Sequence, residues 1–246
     1  MKSHDLLRDK VVVVTAAAGT GIGSAVAARC AEEGATVVIS DRHERRLAET
    51  AAVLNAHPIP CDVTSEEQVQ VLIAETVARY GRLDVMINNA GLGGTASIVD
   101  MTDDEWLKVM DVTLNGTFRC TRAALKQMVA QGGGAVVNNA SVVGWRAQEG
   151  QSHYAAAKAG VMALTRCAAM DVAGSGVRVN AVAPSLAMHP HLAKVTSEEL
   201  LAELASKEAF GRAAEPWEVA NVMVFLASDY ASYLTGEVIS VSSQHP

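Results

Sequence analysis

With 246 residues, half of them hydrophobic, the chain is long enough to bury a sizeable core in one α/β domain without help from metals or disulfides. A formal charge of −7, with no cluster of Lys and Arg, argues against a nucleic-acid or anionic-membrane surface. The four cysteines (Cys30, Cys61, Cys120 and Cys167) stand singly in apolar segments without metal-ligand spacing, so reduced core residues and no metal site are expected.

The polar stretch Met1 to Lys10 lacks the apolar centre of a signal peptide, and no uninterrupted apolar run suits a membrane span. A soluble, cytoplasmic protein is expected. Next comes the β-branched run Val11 to Thr15, then a stretch of small residues ending Gly19-Thr20-Gly21-Ile22-Gly23, then a helical pattern over Ser24 to Glu33. This reads as strand, tight turn, helix. A turn without bulky side chains lets the backbone approach a pyrophosphate, and the helix start offers it free N–H groups and a positive dipole end. A second apolar run, Thr36 to Ser40, leads into Asp41 and Arg42. An acid placed there can accept hydrogen bonds from both hydroxyls of an adenosine ribose.

Further apolar runs follow at Ile59 to Cys61, Leu83 to Asn88, Ala135 to Asn139, Val177 to Ala183 and Glu237 to Val241, alternating with longer amphipathic segments. Strict alternation predicts a single-domain α/β fold over 1–246: a doubly wound, parallel, seven-stranded Rossmann-like sheet with helices on both faces. Ligand-binding residues then gather at the strands' C-terminal ends. Asp41, Asp62-Val63, Asn89-Ala90-Gly91, Ser141 and Pro184 each follow such a run. Between Ser185 and Phe210 the pattern changes to a Met, His, Pro and Lys mixture, followed by an amphipathic piece at Glu198 to Leu204. This suits either a substrate lid or an ordinary surface helix.

The stretch Ser141 to Lys158 supplies a hydroxyl, a phenol and an ammonium in order. On a helix opening at Ser152, Tyr154 and Lys158 fall on one face, where the cation favours a phenolate and brings a normally alkaline tyrosine toward proton exchange at neutral pH. Trp145 and Arg146, just past the fifth strand, are expected to wall the pocket. His153 is expected as a partly exposed helix residue.

In order and spacing these motifs closely resemble the short-chain dehydrogenase/reductase family along essentially the whole chain. The resemblance implies that Tyr154 is the general acid/base, that Lys158 lowers its pKa and holds the nicotinamide ribose, and that Ser141 hydrogen-bonds the substrate oxygen. It also implies that Asp62-Val63 contacts the adenine, that Asn89-Ala90-Gly91 lines the adenosine side, and that the assembly is a homotetramer. The cofactor implied is NAD rather than NADP, because Asp41 would repel a 2′-phosphate, although Arg42 follows it. Three departures stand out. Ala16 replaces the family's first loop glycine, with one residue inserted before Gly21. Thr113 occupies the place of the tetrad Asn, a relay position, with Asn115 about 200° further around the helix. The nicotinamide-contacting segment reads Pro184-Ser185-Leu186-Ala187-Met188-His189.

Within the family, the loop, Gly144 to Gln148, Glu215 to Val219 and the final Ser242 to Pro246 resemble a bacterial subgroup from steroid C/D-ring degradation. That resemblance implies an alicyclic hydroxy/keto acyl-CoA substrate, packed against Trp145 and an apolar segment of Leu186, Met188 and Leu192, with Arg146 or Lys194 meeting CoA phosphates. The alternatives are a 3-oxoacyl-thioester reductase and, from another class, a non-catalytic dinucleotide sensor.

Overall fold

The computed structural model describes residues 3–188 and 198–243. Its seven strands are β1 (Val11–Thr15), β2 (Thr36–Asp41), β3 (His57–Pro60), β4 (Val85–Asn88), β5 (Gly134–Asn139), β6 (Val177–Pro184) and β7 (Val238–Val241). All pairings are parallel, in the order β3-β2-β1-β4-β5-β6-β7. The chain winds outward from β1 in one direction, then returns and winds the other way from β4. The C-terminal ends of β1 and β4 therefore diverge into a crevice at the topological switch point.

Strands buried on both faces read as continuous apolar runs. In β1, Val12 and Val14 face a core shared with α1 (Ile22–Glu32) and α8 (Pro216–Ala227). Val13 faces the other core, with α3 (Glu66–Tyr80), α5 (Gly116–Gln131) and α6 (Ser152–Val172). This alternation is the period of two that any strand imposes. The edge strand β3 starts at His57, two residues before the apolar run, because pairing with β2 (Val38 with His57) rather than hydropathy sets its beginning. β4 starts later than expected, at Val85; ahead of it Leu83 N–H goes to the Gln131 side chain, while Asp84 N–H donates to Val11 C=O.

The other helices are α2 (Glu44–Leu54), α4 (Asp103–Met110) and α7 (Glu198–Lys207). A single π turn, Asp111–Asn115, joins α4 to α5. Of the expected lid, residues 189–197, with His189, Leu192 and Lys194, lie outside the described residues, as do 244–246. Cys30, Cys61 and Cys120 are buried as expected, but Cys167 is exposed on α6. No helix among the described residues is long and apolar enough to cross a membrane.

Candidate active site

The loop after β1 turns through two left-handed residues, Ala16 at φ +50° and Gly19 at φ +99°. Gly21 then begins α1 with no side-chain cap, and no acidic residue sits in the first turn. By contrast, Ser65 caps α3, and Thr102 with Glu105 forms a capping box on α4. The first amides of α1 are thus left for an anion. A Cβ on Gly19 or Gly21 would meet nothing within 4 Å, so the rim around Thr20 is open. Gly23, next to Ile22, is closed off instead: a Cβ there would fall 2.4 Å from the Ala16 carbonyl oxygen and 2.5 Å from Asn89 Nδ2.

Asp41 ends β2 beside this loop, where its carboxylate accepts from Ala18 N–H at 3.3 Å and His43 N–H at 2.9 Å. Asp62 follows β3. Burial raises its pKa, but the Thr64 N–H and hydroxyl, with the charges of Arg42 and Arg119, outweigh this and hold it below the usual carboxylate range. Val63 is buried beneath Gly116, whose missing Cβ would lie 2.6 Å from Val63 Cγ2.

The loop after β4 is fastened to β1. The Thr15 hydroxyl accepts from Asn89 N–H at 3.0 Å and Ala90 N–H at 3.1 Å. Asn89 Nδ2 donates to the carbonyls of Thr15 (3.2 Å) and Ala16 (3.1 Å), and Asn139 Nδ2 donates to Asn89 Oδ1 at 3.0 Å. Sequence reasoning gave no site role to Thr15 or Asn139. A hydroxyl closing an aliphatic strand and a polar pair, Asn138-Asn139, closing another were the available signals. Thr113 lies in the π turn and is fully buried. Its hydroxyl accepts from Leu92 N–H at 2.9 Å and donates to Leu92 C=O at 3.0 Å, so its one proton is committed to the loop. That loop borders the reactive groups: a Cβ on Gly91 would lie 3.5 Å from Lys158 Nζ, and one on Gly93 would lie 3.9 Å from the Tyr154 ring.

Ser141 leaves β5 and starts a short 3₁₀ turn, Val142–Gly144, accepting from Val143 N–H. Its hydroxyl lies near enough to Tyr154, in the first turn of α6, to lower the pKa of the phenol. Lys158 follows one turn on, with Nζ 5.5 Å from the Tyr154 ring centroid, and donates to the Asn139 main-chain carbonyl. The structure thus brings hydroxyl, phenol and ammonium together at the ends of β4 and β5. Burial dominates their titration. It pushes the Tyr154 phenol up to about 12, against the lowering influence of Ser141, and brings the Lys158 ammonium down to about 8. The sequence reading expected the cation to depress the phenol. In the protein by itself desolvation is the larger effect.

His153 is only 2 % exposed rather than partly exposed, because it turns under Gly94, with Nδ1 accepting from Tyr154 N–H. Trp145 is half exposed, and Arg146 places Nη1 in a buried position with no partner among the described residues. Pro184 ends β6, and Met188 N–H donates to Ala214 C=O at 2.9 Å, tying the following segment to the residues before α8.

An uncapped helix start at the switch point, with a hydroxyl–phenol–ammonium set along the same crevice, is the arrangement that suits a dinucleotide-dependent oxidoreductase. A family model described as enoyl-(acyl carrier protein) reductase matches residues 16–243, and the chain belongs to the short-chain dehydrogenase/reductase family. It is 66 % identical, over 99 % of its own length and 95 % of the relative's, to the (5R,7aS)-5-hydroxy-7a-methyl-1-oxo-hexahydro-indene-carboxyl-CoA reductase of Mycobacterium tuberculosis. It is 39 % identical to the 3-oxoacyl-[acyl-carrier-protein] reductase of Thermotoga maritima, over 96 % of this chain and 97 % of that one. A solved short chain dehydrogenase from Mycobacterium smegmatis superposes with a TM-score of 0.89 at 57 % identity, covering 100 % of this chain and 97 % of that chain. The protein is an oxidoreductase of this type and uses a nicotinamide cofactor. Its residues fit that group: open space over Gly19 and Gly21, uncapped amides at α1, and an acid at the end of β2.

Proposed function

We propose that the protein is an NAD-dependent oxidoreductase that interconverts a ring hydroxyl and a ketone on a bulky alicyclic acyl-CoA, of the kind produced when steroid rings are degraded. The observation that carries this reading is the 66 % identity, over 99 % of the chain, to a reductase named for a methyl-indene carboxyl-CoA. The relative named as a 3-oxoacyl reductase is more distant, at 39 %.

When bound, the cofactor supplies or accepts the hydride at nicotinamide C4. The protons belong to this chain. Tyr154 gives its phenolic proton to the ketone oxygen on reduction and takes it back on oxidation, while the Ser141 hydroxyl steadies the same oxygen. A phenol held near 12 is fully protonated at neutral pH, the form that reduction needs. Lys158, at about 8, is poised to pass a proton toward Tyr154 and to hold the nicotinamide ribose.

Gly19 to Gly23 takes the pyrophosphate, and Asp62-Val63 with Asn89-Ala90-Gly91 takes the adenosine side. Asp41 accepts from the ribose hydroxyls and repels a 2′-phosphate, which favours NAD even with Arg42 beside it. Trp145, Arg146 and Met188 wall the substrate. Thr113 holds the loop at Leu92. The protein works as a cytoplasmic homotetramer, a reading supported by exposed apolar side chains on the helices flanking the site: Leu107 on α4, Phe118 on α5 and Met170 on α6.

The test is to compare kcat/KM for an indane-type hydroxyacyl-CoA with values for acetoacetyl-CoA and 3-hydroxybutyryl-CoA, using both nicotinamide cofactors. The bulky thioester is expected to win by at least about 10-fold with NAD, the discrimination a shaped apolar pocket can supply. If the linear thioesters win, the 3-oxoacyl reductase reading replaces this one. Tyr154→Phe is expected to lose at least about 10²-fold in kcat, and retention of more than a tenth would remove Tyr154 from its role.

A further inference from the structure

Ala16 is an L-residue held at φ +50° in the loop that the proposed cofactor must touch. Such a residue prefers its right-handed or extended conformations by roughly 5- to 30-fold in population. Something must hold it.

The flanking hydrogen bonds show what does. Asn89 Nδ2 grips the Thr15 carbonyl at 3.2 Å, in the peptide plane before Ala16, and the Ala16 carbonyl at 3.1 Å, in the plane after it. Ala17 N–H, in that second plane, also donates to Ser40 C=O at 3.0 Å. Pinning both planes fixes φ and ψ of the residue between them. Asn89 can do this only while its amide nitrogen faces Ala16, and so its Oδ1 must find a donor on the other side. Asn139 Nδ2 is that donor, at 3.0 Å. Among the described residues Asn139 Oδ1 has no partner, so within them it is the donor end that places this side chain.

We infer that Asn139 is a positioning residue for the cofactor loop: through Asn89 it keeps Ala16 in the left-handed conformation that leaves the uncapped start of α1 open to a dinucleotide. This rests on the dinucleotide reading given above. Without the clamp the binding-competent loop becomes a minor state, and the apparent Kd rises in proportion to the population lost. A glycine at position 16 has no such preference, so it makes the clamp unnecessary.

The experiment is a double-mutant cycle on the full chain, read as NADH binding by calorimetry rather than as turnover. Asn139→Leu is expected to raise Kd about 5- to 30-fold. Ala16→Gly is expected to bind as wild type does, and Ala16→Gly/Asn139→Leu to return within about 2-fold of it. Asn139→Ala serves as a second probe, and circular dichroism melting reports folding. Unchanged affinity in both Asn139 variants overturns the inference. So does a loss that Ala16→Gly fails to restore, or unfolding of both variants, since each makes Asn139 a general packing residue. A wild-type chain that binds neither NADH nor NADPH overturns the dinucleotide reading itself, and the clamp with it.

Discussion

At the scale of single residues, Lys158 shows how a site can work against the fold that carries it. Its side chain is 3 % exposed, and burial holds its pKa at about 8, below the ordinary 10.5. Below about 8 the ammonium is charged in both folded and unfolded chains, and burying it costs stability. Between about 8 and 10.5 the unfolded chain binds the proton and the folded one does not, so this group makes stability rise with pH. Lys158→Met is therefore expected to be more stable than wild type at pH 7, by about 1–2 kcal/mol, and inactive. The difference should shrink as pH climbs through that window. Urea unfolding at pH 7 and pH 10 checks this, and a constant difference would mean that Lys158 is not desolvated.

At the scale of elements, the π turn Asp111–Asn115 decides what the residue aligned with the family's Asn can do. It carries Thr113 inward and Asn115 to the surface, where the Asn115 amide donates to Asp111. The Thr113 hydroxyl gives its proton to Leu92 C=O and accepts from Leu92 N–H, closing the loop that borders Lys158 and Tyr154. Thr113→Val keeps the shape and removes both bonds, at a cost of about 1–3 kcal/mol for the groups left unpaired. A loosened loop should raise substrate KM several-fold while the pH–rate profile stays in place, and Thr113→Ser should recover most of the loss. A displaced pH profile would instead make the hydroxyl part of the proton relay.

At the scale of the whole molecule, stability in acid depends on carboxylates far from the active site. Glu33, buried at the end of α1, accepts from Leu6 N–H and His4 N–H and pairs with Arg29, fastening the N-terminal segment to the sheet's flank. Burial raises its pKa, but these partners outweigh burial and leave it below the ordinary 4.5. Glu218, hydrogen-bonded by Arg212 and by Glu215 N–H, is brought down to about 2. A depressed carboxylate stabilises the fold above its unfolded value and loses that contribution as pH falls through its folded one. Stability should therefore decline from about pH 4.5 downward. Glu33→Gln should be less stable than wild type at pH 7, with the gap narrowing as pH drops below 4. A gap that stays constant as pH falls below 4.5 would assign the loss to packing rather than charge.

The sequence alone determined the sheet, the order of its motifs and the convergence of the candidate site residues, for a physical reason. Strand and helix periods are local, and in a parallel sheet residues just past each strand must converge at one edge. Thus Asp41, Asp62, Asn89, Ser141 and Lys158 were legible before any contact was known. Other properties depend on neighbours distant in the chain. Among these are the burial that sets the Tyr154 and Lys158 titrations, the turning of His153 under Gly94, and the commitment of Thr113 to Leu92. The same holds for the Asn139–Asn89–Ala16 clamp, which joins β5, β4 and the first loop across the switch point. Ala16 itself looked in the sequence like a lost glycine. Only the tertiary structure shows that it keeps the glycine's conformation, because hydrogen bonds reaching it from Asn89 and Ser40 pin the peptide planes that a side chain would otherwise turn.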